Sequence, residues 1–134
     1  MTDTMDALEA RMNDLRDQQR YLSLMLGQVR LDLAHANDGW RDEGLEPSLR
    51  RMFHNTALKC RRDIATVLDL LRRVNIAILE TELDQLRDEA RFVASVLQDP
   101  EVADLHAKII PIWGDLVGRQ TKLVQDIAAL RSQV

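Results

Sequence analysis

A chain of 134 residues and 15.4 kDa, with 46% apolar and 30% charged side chains, is expected to form one domain around one modest core and is neither a disordered tail nor a set of membrane spans. A net charge of −4 and a pI near 5.3 argue against general attraction to nucleic acid or anionic lipid and leave room only for a local basic patch. The opening Met1-Thr2-Asp3-Thr4-Met5-Asp6 has no basic stretch leading into an apolar core, and the single cysteine, Cys60, can make no intrachain disulfide, so the expected setting is the reducing cytoplasm.

Glycine and proline punctuate the chain around Gly39, Gly44 and Pro47, at Pro100, and within Pro111 to Gly118. The stretches between them read as helix, because no run of β-branched and aromatic residues alternates with polar ones between turns. The expected fold is all-α: an antiparallel bundle of three long helices with coiled-coil-like packing, occupying residues 1–134 as a single domain.

The first segment, from about Asp3 to Ala36, repeats by heptads. Met5, Met12, Leu26 and Leu33 form one column, and Leu8, Leu15, Leu22, Val29 and Ala36 the other, with Gln19 the one polar interruption. Tyr21, Leu24 and Leu31 form a second stripe on a different face, which a helix touching one neighbour leaves wet. That stripe predicts a second covering element, so self-association through this segment is expected. Asn37-Asp38-Gly39 reads as a left-handed helix end, and Trp40 then belongs to a loop running to about Glu46. Its ring either plugs the end of the bundle or meets a partner.

The second segment, Ser48 to Asp99, holds neither glycine nor proline and can be one unusually long helix. Its seam runs Phe53, Ala57, Cys60, Ile64, Val67, Leu71, Val74 and Ile78, then Leu79, Leu83, Leu86, Ala90, Val93 and Leu97. The two halves differ in phase by roughly a quarter turn, which predicts a stutter, a bend or a break near residues 75–80, and a break makes the bundle four-helical.

The third segment opens on Asp99-Pro100-Glu101, a strong helix-start signal. Its expected core column is Leu105, Ile109, Ile112, Leu116, Leu123, Ile127, Leu130 and Val134. Pro111 lies within that pattern and predicts a kink, with Trp113 covering a neighbouring helix or a bound peptide.

Nothing here resembles catalytic or metal chemistry. Asp32-x-x-His35 is the sole approach to the Glu-x-x-His spacing of bundle metal sites, which need two copies. Cys60 and His54 stand six residues apart, about 120° around a helix, and point away from each other. No phosphate-binding glycine loop appears. The expectation is no enzyme and no cofactor.

Three arginine pairs recur every eleven residues: Arg50 and Arg51, Arg61 and Arg62, Arg72 and Arg73. Eleven residues make close to three turns, so the pairs stack into a ridge. Residues 41–73 carry eight basic and five acidic side chains, whereas residues 80–104 carry two and eight. The acidic stripe Glu80, Asp84 and Asp88 is therefore a candidate complement for the ridge of another copy. The composition favours a non-enzymatic helical interaction protein, an oligomerising scaffold, adaptor or chaperone-like subunit that binds itself, a dimer being favoured, or a partner helix. A helical RNA- or DNA-binding protein using the arginine ridge is the alternative. The candidate partner-binding residues are the six arginines with Tyr21, Leu24, Leu31, Trp40 and Trp113.

Overall fold

The structure, a computed structural model, describes residues 2–133; Val134, the last member of the expected third column, lies outside them. The chain is an all-α antiparallel bundle of three helices: α1 (Thr2–Arg41), α2 (Pro47–Leu97) and α3 (His106–Arg131), with a 3₁₀ turn at Pro100–Leu105 before α3. No strand occurs among the described residues. Contacts group the residues into two compact units. One comprises residues 17–74; the other comprises the residues up to 16 together with those from 75 onward.

The unit of residues 17–74 is a two-helix hairpin. Leu26 and Ala36 of α1 are buried, as are Ala57, Cys60 and Val67 of α2, so each helix presents one apolar stripe to the other. The turn at the hairpin's end is short. The Asp42 carboxylate accepts from the Gly44 amide at 2.9 Å, and the Leu45 amide donates to the Asp42 carbonyl at 3.2 Å, an Asx-type turn. Pro47 then occupies the first position of α2, where its missing N–H costs nothing.

The end of α1 differs from expectation. The helix does not stop at Asn37-Asp38-Gly39 but continues to Arg41, and no glycine among the described residues has positive φ. Gly39 is helical, and its role is steric: a Cβ there would overlap the Phe53 ring of α2. Trp40 accordingly sits in the last turn of α1 and not in a loop.

The second unit places three helical segments together, and α2 is buried on two sides within it. Ile78 and Thr81 are buried, and so are Leu83, Leu86 and Ala90; Ile78 and Leu83 lie about 140° apart around the helix axis. The phase change near residues 75–80 therefore breaks nothing. Helix α2 is continuous through it, and the stripe broadens because the helix acquires a second neighbour. Thr81 is fully buried, and its hydroxyl donates to the Ala77 carbonyl at 2.8 Å, which satisfies the one polar group among the core residues.

The start of α3 is a partial match to the sequence signal. The Asp99 carboxylate accepts from the Glu101 amide at 2.9 Å, but the chain first makes a 3₁₀ turn interrupted at Val102 (φ −115°, ψ 28°). The break falls there, and no non-helical residue is found at Pro111, which α3 carries inside an uninterrupted span. His106 closes the junction: its Nε2 lies 3.1 Å from the carbonyl oxygens of Val96 and Asp99. Two acceptors require the N–H on Nε2, which adds a second donor to carbonyls that already accept from the Asp99 and Val102 amides where α2 ends.

The buried stripe of α3 keeps most of its expected phase. Leu105 and Ile112 are exposed, contrary to the expected column, while Ile109, Trp113, Leu116, Leu123 and Ile127 turn inward. Leu116 joins Leu86 and Ala90 in the core cluster, with Val93, Trp113 and Leu123 packed against it.

Candidate functional site

The outward face of α1 within residues 17–74 is the most apolar exposed surface on that helix. Leu24 is 71% exposed, Leu31 67% and Tyr21 64%. Each is large enough that full burial would contribute on the order of 2 kcal/mol, so leaving all three wet is a cost that the protomer alone does not recover. The residues arise from one helix but not from one column. Leu24 and Leu31 lie seven apart on the side of α1 away from α2, whereas Tyr21 lies toward a shallow groove of about 470 Å³ that it lines with Leu22, Leu70 and Val74. Met52 of α2 is exposed to a similar degree, at 64%.

The arginine ridge lies on α2 in the same unit, and its members divide into three groups. Arg50 is half-buried and donates from Nε to the Trp40 carbonyl at 3.1 Å, so it closes the hairpin end in place of the local pair with Glu46 that four-residue spacing suggests. Arg72 and Arg73 both grip Asp69, at 2.8 and 3.0 Å. The hydrogen bond from Arg72 and the positive charge of both arginines outweigh burial and hold the Asp69 carboxyl below its ordinary value of 3.8. Arg51, Arg61 and Arg62 are exposed and pair with no carboxylate among the described residues.

Both tryptophans make contacts within the protomer. Trp40 is half-buried; its Nε1 donates to Asn37 Oδ1 at 3.0 Å, His54 meets it edge-on at 5.4 Å between ring centroids, and the Arg41 guanidinium lies over the ring at 5.3 Å. Trp113 packs on the core cluster of the other unit.

The acidic stripe is also occupied. Glu80 pairs with Arg131 of α3, Asp88 with Arg91 at 2.9 Å, and Asp84 with Arg87 at 4.0 Å. A ridge from another copy would have to displace these partners, so charge alone gives little reason for the ridge-to-stripe docking.

No three His, Cys, Asp or Glu side chains among the described residues are grouped to hold a metal ion. Cys60 is buried, and His54 is engaged on Trp40. No helix among the described residues is long and apolar enough to cross a membrane. No protein-family model matches the chain, and no curated protein and no solved structure matches it.

Gly27 lies between Leu24 and Leu31 on the exposed face. A Cβ at that position would meet nothing within 4 Å, so the fold of the protomer makes no use of the glycine. The available signal was its place inside an otherwise regular heptad segment, where glycine is disfavoured.

Proposed function

We propose that the chain is a non-enzymatic helical interaction protein that self-associates, or holds a partner helix, through the two-helix unit of residues 17–74. The observation that carries this reading is the exposure of Leu24, Leu31 and Tyr21 on one helix, an apolar surface of the kind that marks interfaces in soluble proteins. Light scattering across micromolar concentrations should show a dimer or larger. Leu24→Glu or Leu31→Glu should weaken assembly while leaving helicity intact, because each puts a charge into a dehydrated contact and neither residue is buried in the protomer. Assembly that both variants leave unchanged would count against this surface.

The alternative, nucleic-acid binding, draws support from Arg51, Arg61 and Arg62, which are exposed without carboxylate partners among the described residues. Substituting all three by glutamine separates the readings. Loss of RNA retention with assembly unchanged favours the alternative; unchanged behaviour in both assays means that the ridge is merely solvated.

A further inference from the structure

We infer that the occupant of the outer face of α1 is α1 of a second copy, laid antiparallel about a two-fold axis at the level of Val29. The inference rests on the self-association reading above and adds partner, direction and register to it.

The face is more ordered than three exposed apolar residues suggest. Leu24, Gly27, Leu31 and Ala34 follow the alternating 3- and 4-residue spacing of a coiled-coil seam, and all four are exposed. The same spacing continues outward to Arg20 and Asp17 on one side and to Asp38 and Arg41 on the other, again all exposed. The seam spans about 36 Å of helix, and it lies roughly 150° around the axis from the buried column of Leu26 and Ala36. A helix seated there meets α1 without displacing α2 from the hairpin.

In an antiparallel pair each residue of one seam column faces a residue of the other column on the partner helix. With the axis at Val29, Gly27 faces Leu31 of the second copy and Leu24 faces Ala34, so every leucine meets a small residue. Arg20 then faces Asp38, and Asp17 faces Arg41. Symmetry repeats each contact, giving four apolar and four oppositely charged pairings.

Other arrangements fail on the same residues. Sliding one helix by a heptad sets Leu24 against Arg41 and Gly27 against Asp38, or Arg20 against Leu31. A parallel, in-register pair sets Asp17 on Asp17 and Arg20 on Arg20 and leaves Gly27 facing Gly27. Like charges opposite one another repel, and a glycine opposite a glycine leaves a void. Only the antiparallel register matches both size and sign along the whole seam.

Two further observations fit. Gly27 weakens its own helix relative to alanine, and no atom of the protomer approaches it; a leucine from a second copy supplies the close approach that the protomer lacks. The charged ends are also available. Arg20 and Asp17 stand 3.7 Å apart with both side chains about three-quarters exposed, and Arg41 is exposed, its guanidinium carbon 5.3 Å from the Trp40 ring centroid.

The test is sedimentation equilibrium at low salt on the full chain, with circular dichroism on the same samples. Arg20→Asp and Asp38→Arg should each weaken self-association by roughly tenfold, since each converts two attractive pairings into repulsive ones. The double variant Arg20→Asp with Asp38→Arg should recover most of the parental affinity. A merely local effect predicts no such rescue, because the double variant retains like-charged neighbours at Asp17 and Arg41. Gly27→Leu should weaken assembly at least as far without lowering helicity, since the protomer has open space at that position. An assembling parent whose affinity the charge variants do not change, or whose double variant is weaker than either single one, overturns the register and leaves the self-association reading standing. A parent that stays monomeric at every concentration overturns both.

Discussion

Helix α2 runs through two different environments, and the contrast between them is the most instructive feature of the molecule. In residues 17–74 it packs against one neighbour, and large apolar side chains such as Leu24 and Leu31 of α1 and Met52 of α2 remain in water. In the other unit the same helix is buried on two sides, with Thr81 fully enclosed and Leu86 at the centre of a cluster. The charges divide as well. Residues 17–74 carry ten basic and eight acidic side chains, whereas the rest carry eight and fourteen. One long amphipathic helix thus holds a clustered core in one unit and a one-sided seam in the other; both units leave large apolar side chains exposed, Phe92 and Ile110 in the former and Leu24 and Leu31 in the latter, and the most exposed of these, Leu24 and Leu31, are where a partner gains most by burying surface.

The largest effect that bears on this contrast is loss of core packing. Leu86→Ala should destabilise the protein by about 2 to 4 kcal/mol in urea unfolding, through lost burial and the cavity left behind. Leu24→Ala should change the stability of the dilute protomer by less than about 0.5 kcal/mol, as expected for an exposed position. Equal effects would mean that the two environments are not distinct.

The glycines sharpen the same point at intermediate size. Gly39→Ala should cost about 1 to 3 kcal/mol, because its methyl must displace the Phe53 ring, even though alanine is the better helix former. Gly27→Ala, in open space, should stabilise the dilute protomer by up to about 1 kcal/mol. Thermal melts of the two variants should therefore move in opposite directions.

How much of this was legible in the sequence follows from what each residue type can signal. The heptad columns of α1 apart from Met5, which is exposed, and every member of the α2 seam were readable, since apolar periodicity directly reports which face is buried: none of the seam residues from Phe53 to Leu97 is exposed. The apolar stripe at Leu24 and Leu31 was visible for the same reason. Gly39 was misread because a glycine ending a helix and a glycine admitting a ring from the next helix look alike until Phe53 is placed. The 3₁₀ turn was hidden because Asp99 and Pro100 announce a start without specifying which helix begins; Leu105 falls in that turn and is exposed, and within α3 Trp113 turns inward where Ile112 was expected. At the ridge, the sequence showed where the arginines stack but not that Arg50 would reach the Trp40 carbonyl or that two arginines would share Asp69.

The smallest effect concerns that shared carboxylate. Asp69 has a lowered pKa in the folded chain, chiefly through its hydrogen bond from Arg72, so its contribution to stability is present above its ordinary value of 3.8 and is lost as pH falls through the lower folded value. Asp69→Asn should remove that acid-side loss and leave stability near neutral pH slightly reduced; urea midpoints collected between neutral and strongly acidic pH measure both.

On this proposal a second α1 covers the exposed apolar face of α1 within residues 17–74. Hydrogen exchange at dilute and concentrated protein tests this most directly, because burial of a helix slows the opening of its amides. Amides of residues 17–41 should gain protection as concentration rises, while those of residues 106–131 should not change. Protection that is independent of concentration, or that grows only in residues 106–131, would contradict the account.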